Sequence, residues 1–335
     1  MSYKVAVLMG GISFERDFSL ASGRHVLNTL EAAGHTVLPL DTASSLVGTL
    51  RSQKPDVAYI ALHGGHGEDG TIQALLEYLG IPYVGSRSGV CRSAWDKSML
   101  PTVVCGYRRA LGSKSTATWP RAISLSAYAI RDLGAAGALD LVVQRFPKGY
   151  PLAVLPASGG SAMGVSKVSS ADGLAAAILE ALSFDDEVMI EEWVDGVELA
   201  VCILGQGEGA RALPPIEVVA KGSFFDTEAR IHADLAEYRV PVRAQSLSDD
   251  SEQAAQALEC AIDAALEVHR AFGCRDLSRV DLIWDKKAEA AKVLEINVSP
   301  GMAEKSLFPL ASEAAGIGFS TMLNDLLDAA VARQN

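Results

Sequence analysis

The chain has 335 residues, 49% of them hydrophobic and 21% charged, with 30 glycines and 13 prolines. That composition excludes a disordered, collagenous or coiled-coil protein and leaves room for more than one core. Lys plus Arg number 29 against 41 Asp plus Glu, a formal charge of −12 that repels phosphate backbones and anionic lipid, so neither a nucleic-acid nor a membrane partner is expected. Five cysteines with no C-x-x-C spacing fit inert thiols in a reducing cytoplasm better than disulfides or a zinc centre. The opening MSYKVAVLMGG is too short in its apolar run for a signal peptide, and the chain carries no apolar stretch of roughly 18 residues that would read as a membrane span.

KVAVLMGG predicts a strand ending in a turn, and residues 19–33 follow with apolar side chains at helical spacing (Leu20, Val26, Leu27, Leu30). HTVLPLD, DVAYIAL and IPYVGS read as further strands, with helices over 44–52 and 71–79 between them. This alternation predicts an open parallel α/β sheet with helices on both faces, binding its ligand at the loops 10–15, 63–70 and 85–88 that follow the strands. From Asp96 the texture changes: residues 98–140 read as an irregular stretch and an Ala-rich helix. YPLAVLPA and VSKV then read as strands joined by SGGSAMG, a hairpin able to close over a ligand. ADGLAAAILEAL is an amphipathic helix, EVMIEEWV and VELAVCIL are strands, residues 253–271 are a long helix, SRVDLIWD and KVLEINV pair as strands, and a helix over 316–333 closes the chain. The expected organisation is α/β followed by α+β, in three parts: 1–96, 97–189 and 190–335.

The phosphate loop G-x-x-x-x-G-K-[ST], H-E-x-x-H and G-x-S-x-G are all absent. The strongest constellation is Arg279-Val-Asp281 on one strand and Glu295-Ile-Asn297 on the next. Residues two apart share a strand face, so Asp281, Glu295 and Asn297 come together with Arg279 beside them. Two carboxylates and a carboxamide are hard oxygen donors suited to magnesium with nucleotide phosphates and water. HGGHGEDG gathers His63, His66, Glu68 and Asp69 in a glycine-rich loop, which suits either a metal or the positioning of a substrate. Glu15 follows the first strand near a helix start, where Ser13 is the expected N-cap. Glu191 and Glu198 stand in EEWVDGVE; alone, they would read as solvated acids.

Together these segments resemble the D-alanine–D-alanine ligases of the ATP-grasp superfamily: GGISFER, LHGGHGEDGTIQ, IPYVGS, Asp96-Lys97, GGSAMGVSKV, EEWVDGVEL, SRVDL and LEINVSPGM occur in the family's order over nearly the whole chain. The resemblance implies an N-terminal substrate-binding domain followed by a two-part ATP-grasp fold, in a cytoplasmic homodimer serving peptidoglycan synthesis. The implied reaction joins two D-alanines: ATP phosphorylates the first carboxylate, and the second amine attacks the acyl phosphate. It further implies that Glu15 and Ser161 orient the first D-alanine with His63 near its carboxylate. Arg279 and the Gly301 N–H would stabilise the oxyanion, and Ser306 and Leu307 would meet the second carboxylate. Lys97, Glu191, Glu198 and Arg230 would bind ATP, while Asp281, Glu295 and Asn297 hold two magnesium ions, with manganese as a substitute.

Three departures shape the alternatives. Where the family has Val-Lys-Pro with a phosphate-contacting lysine, this chain has Val154-Leu155-Pro156. The segment usually written Tyr-Asp-Tyr-Glu-Ala-Lys-Tyr is here Phe225-Asp-Thr-Glu-Ala-Arg230-Ile231, which keeps the cation and loses the tyrosine that links to the serine and glutamate. Residues 98–150 match poorly. The alternatives are a ligase taking D-lactate or D-serine second, and a weakly active or non-catalytic nucleotide-binding relative. A lysine placed at Leu155 is expected to raise kcat/KM for ATP about tenfold; the alternative is that Arg230, Arg108 or Arg109 already fills that space.

Overall fold

The structure, a computed structural model, describes residues 1–42, 45–112, 117–222 and 236–333. Strands β1 (Lys4–Met9), β2 (Thr36–Asp41), β3 (Val57–Ile60) and β4 (Tyr83–Val84) form a parallel sheet in the order β2-β1-β3-β4. Val5, Ala6, Val7 and Leu8 are all fully buried, the uninterrupted apolar run needed by a strand covered on both faces. Helix α1 (Arg16–Ala32) and the last helix, Phe319–Ala332, cover one face; α2 (Leu46–Gln53) and α3 (Thr71–Leu79) cover the other. The expected cap is corrected: Glu15, not Ser13, occupies the N-cap of α1. The Ser13 hydroxyl instead donates to the His63 carbonyl at 2.6 Å and accepts from the Glu15 N–H at 3.2 Å, tying the two loops together.

The stretch expected to be irregular conceals regular elements beyond α4 (Ser88–Trp95): α5 (Met99–Leu111) and β5 (Ala122–Ser126). Leu100 and Val104 are the buried residues of α5, whose sequence Pro101 and Gly106 punctuate as a loop would, and β5 is an edge strand with one buried residue. The Ala-rich helix α6 (Ala127–Arg145) bends at Gly134. Strands β6 (Leu152–Pro156), β7 (Ser166–Val168) and β8 (Glu187–Glu192) complete an antiparallel sheet in the order β5-β8-β6-β7. The expected hairpin is the β6–β7 pair. Leu152, Val154 and Ile190 pack against α6 and α7 (Ala171–Ala181); alternation turns Ala153, Leu155, Met189 and Glu191 to the opposite face. β8 runs to Glu192, so this sheet extends three residues past position 189.

The third sheet contains β9 (Val197–Leu204), β10 (Arg211–Ala212), β11 (Ile216–Ala220), β12 (Ala236–Arg239), β13 (Leu277–Asp285) and β14 (Ala290–Asn297), ordered β12-β11-β9-β13-β14 with β10 also on β9. Helix Ser251–Phe272 packs on it through Ala257, Ala261, Ala264 and Ala265, small side chains that let helix and sheet approach closely. Its N-cap, Asp250, accepts from the N–H groups of Glu252 and Gln253. The other face of the sheet shares one core with the N-terminal sheet, through Phe308, Leu323 and Leu327.

His269, in the long helix, is fully buried with Nδ1 2.7 Å from the Ser278 hydroxyl. Burial depresses its pKa to about 4, whereas an unfolded imidazole titrates near pH 6.5. The folded imidazole thus stays neutral while the unfolded one takes a proton, so stability present above pH 6.5 is lost progressively as pH falls toward 4. Between pH 7 and 5 this linkage amounts to about 2 kcal/mol. His269→Gln is expected to remove that part of the pH dependence, measured by denaturant unfolding at both pH values; an unchanged slope would refute the assignment.

Candidate active site

The third sheet builds the floor. In the β13–β14 register Arg279 faces Asn297 and Asp281 faces Glu295, with a bulge immediately after. Cross-strand partners share a face, so all four project together, as their spacing predicts. Arg279 and Asp281 are buried and joined as a fork, Nε to Oδ1 at 2.7 Å and Nη2 to Oδ2 at 2.8 Å. Burial alone would lower the arginine's pKa, yet Asp281 outweighs it and raises it, so the guanidinium stays charged. Glu295 lies 3.2 Å from Lys97 Nζ, and Lys97 also donates to the Gly159 carbonyl at 2.5 Å, reaching the hairpin loop. Asn297 Oδ1 accepts from the Ser299 N–H at 2.8 Å, leaving its second lone pair.

Glu295 borders two clefts. The larger, of about 1010 Å³, lies between the central and third sheets and is walled by Lys97, Ala153, Leu155, Met163, Val165, Glu191, Trp193, Glu198, Asp281 and Leu294. Among the described residues, five carboxylates (Glu191, Glu192, Glu198, Asp281, Glu295) line it against one lysine, Lys97. Glu191 is pushed up to about 7, by burial first, with Lys97 opposing and Glu295 adding to the rise. The smaller cleft, of about 750 Å³, gathers Glu15, Ser22, His63, Glu68, Ser161, Tyr238, Arg279, Glu295, Asn297, Gly301, Ser306 and Leu307.

The smaller cleft thus brings together Glu15, Ser161, His63, Arg279, Gly301, Ser306 and Leu307 from all three layers. Ser161, at φ +53 in the hairpin loop, donates a short hydrogen bond to the Glu15 carboxylate. The Ser22 hydroxyl receives the Met302 N–H at 3.0 Å and lies 2.8 Å from His63 Nε2. Its own proton is then available to Nε2, which leaves Nδ1 as the protonated nitrogen facing Glu68 at 3.7 Å. Glu68 also accepts from the Gly64 N–H at 3.2 Å. Ser22 and Tyr238 escaped the sequence reading: Ser22 looks like any buried helix serine and Tyr238 follows no motif, whereas Glu68 was read with its loop. Gly64 has φ +68, and a Cβ there would collide with the Glu15 carboxylate. Gly64→Ala is expected to raise the KM for the amino acid about tenfold or more while leaving ATP affinity unchanged by calorimetry; a matching loss of ATP affinity would contradict the separation of the two clefts.

Lys97, Glu191 and Glu198 line the larger cleft. Arg230, with Ile231, lies outside the described residues. The other expected cations are corrected: Arg108 forks onto Glu267 and donates to the Ala117 carbonyl, Arg109 is exposed on α5, and neither lines the cleft. Leu155 is buried with Ala153, Ala157 and Met189 in an apolar wall. As a metal site, Asp281, Glu295 and Asn297 offer only hard oxygens, a donor set that suits magnesium and disfavours soft ions. Among the described residues no three His, Cys, Asp or Glu side chains converge on one point, so phosphate and water oxygens would complete the coordination.

The parallel α/β sheet followed by two further sheets enclosing an acidic cleft has the architecture of the ATP-grasp enzymes. The chain superposes with a TM-score of 0.74 on a D-alanine–D-alanine ligase from Bacillus anthracis solved with ATP, at 28% identity over 99% of this chain and 98% of that one. It matches the fold of a D-Ala:D-Ser ligase from Enterococcus faecalis equally well, at 24% identity, with 98% and 99% of the two chains covered and a TM-score of 0.74. Models of the family match too: D-ala D-ala ligase N-terminus over residues 44–86 and D-ala D-ala ligase C-terminus over 139–328. A D-alanine–D-alanine ligase of a Polaromonas species is 36% identical over 97% of this chain and 89% of its own length. The chain belongs to the D-alanine–D-alanine ligase family. Among the described residues no helix is long and apolar enough to cross a membrane.

Proposed function

We propose that this protein joins two molecules of D-alanine to D-alanyl-D-alanine at the expense of ATP, for peptidoglycan precursor synthesis. The observation that carries the reading is the position of Glu295, bordering both clefts beside Asn297: a phosphoryl group held in one cleft reaches a carboxylate held in the other. The adenosine lies against Glu191 and Glu198, with Lys97 on the phosphates. Residues 1–96 supply the amino-acid loops, 97–189 the nucleotide roof, and 190–335 the metal and oxyanion groups.

The first D-alanine binds with its ammonium near Glu15, which Ser161 fixes, and its carboxylate near His63. That carboxylate attacks the γ-phosphorus of ATP, and the bond to the β-phosphate oxygen breaks, releasing ADP and leaving an acyl phosphate. Magnesium held by Asp281, Glu295 and Asn297 would neutralise the phosphate charge, which the acidic cleft cannot do with Lys97 alone. The second D-alanine, its carboxylate at Ser306 and Leu307, attacks the acyl carbon with its amine. Arg279 and the Gly301 N–H stabilise the resulting oxyanion. The amine then loses a proton, inorganic phosphate departs, and the dipeptide remains. The same reading places a homodimer in the cytoplasm, and gel filtration tests the dimer.

The deciding experiment compares phosphate release from ATP with D-alanine, D-lactate and D-serine, with products identified by mass spectrometry. D-alanyl-D-alanine as the main product supports the reading. A depsipeptide or a D-alanyl-D-serine product, or ATP binding without turnover on any substrate, overturns it.

A further inference from the structure

We propose that Lys167 supplies the nucleotide-facing cation of the central sheet, the charge that Leu155 does not provide; this rests on the placement of ATP in the larger cleft. The electrostatic need is plain: a triphosphate enters a cleft whose walls, among the described residues, carry five carboxylates and one lysine. On the central sheet the cleft face is set by alternation. Glu191 pairs with Ala153, and Ala153 pairs with Lys167 on β7, so Lys167 shares a face with Ala153, Leu155 and Glu191. Among the strand residues of this sheet on that face, Lys167 is the one cation.

Lys167 is exposed and rests with Nζ 4.2 Å from the centre of the Trp193 ring. Trp193 is itself a wall of the cleft and is anchored by its indole N–H to Asp195 at 3.0 Å. An exposed cation–π contact is worth only about 0.5–1 kcal/mol, less than a charge-assisted hydrogen bond to phosphate. The ring therefore parks the ammonium at the cleft rim, and a nucleotide can draw it in. Leu155 lies two residues along β6 from Ala153, the register partner of Lys167, and is buried among Ala157, Met189 and Val165. A lysine at 155 and the lysine at 167 would thus serve one region from neighbouring strands.

The test is a double-mutant cycle on the full-length protein, with ATP affinity by calorimetry and steady-state kinetics at saturating D-alanine. Lys167→Met is expected to weaken ATP binding and raise the KM for ATP about tenfold, with the KM for D-alanine unchanged. Lys167→Arg should restore most of that loss, because charge and reach are kept. Leu155→Lys should change little in the wild-type background yet recover ATP affinity in the Lys167→Met background, a coupling that a merely structural role for Lys167 would not produce. Wild-type ATP affinity in Lys167→Met, or equal gains from Leu155→Lys in both backgrounds, overturns the proposal. Absence of dipeptide synthesis by the wild type would instead strike the proposed reaction, since ATP binding is read independently of turnover.

Discussion

Glu295→Ala is expected to reduce dipeptide synthesis by about a thousandfold or more while the protein still folds. The side chain borders both clefts and faces Asp281 across the β13–β14 ladder, so its loss halves the carboxylate charge of the metal set and removes the group between the two substrates. Its partner Lys97 keeps the Gly159 carbonyl when the carboxylate is removed, so the lysine retains a hydrogen-bond partner. Phosphate release as magnesium is raised, alongside thermal unfolding, separates the two effects. Turnover close to wild type at ordinary magnesium would remove Glu295 from the reaction.

Arg279→Ala carries the largest expected cost to stability. The guanidinium fork neutralises Asp281 where both side chains are buried, and removing it strands a charge in the interior at a cost of about 3–5 kcal/mol. Arg279→Lys separates that cost from the chemistry. It keeps the charge but replaces two parallel contacts with a point charge, so most stability should return while kcat stays about a hundredfold down. The measurements are denaturant unfolding and kcat at saturating substrates; Arg279→Lys with a wild-type kcat would show that the fork is not needed for turnover.

The floor of the site was legible because strand alternation is local: the i, i+2 spacing of Arg279 with Asp281 and of Glu295 with Asn297 determines their common face before any tertiary information. The parallel sheet was legible for the same reason, its four buried residues in β1 forming one apolar run. What escaped depends on contacts distant in sequence. Ser22 acquires its role only when Met302, 280 positions later, donates to it. Lys97 was read from the Asp96-Lys97 pair, but its bond to Gly159 exists only once the hairpin folds back. Helix α5 went unread because Pro101 and Gly106 interrupt its sequence, and strand β5 because it buries a single side chain.

The apolar core that runs from Val5 and Val57 through Phe308 and Leu327 to Cys202 and Ile216 welds the first and third layers into one block. The central layer has a core of its own, built on Leu152, Leu174 and Ile190. It meets the first layer through slighter links, Ser161 on Glu15 and the edge of Phe14 against Phe184. The nucleotide cleft therefore lies between two separately cored bodies. Glu15, His63, Arg279 and Gly301 all belong to the welded block, and among the described lining residues Ser161 alone reaches the amino-acid pocket from the central layer.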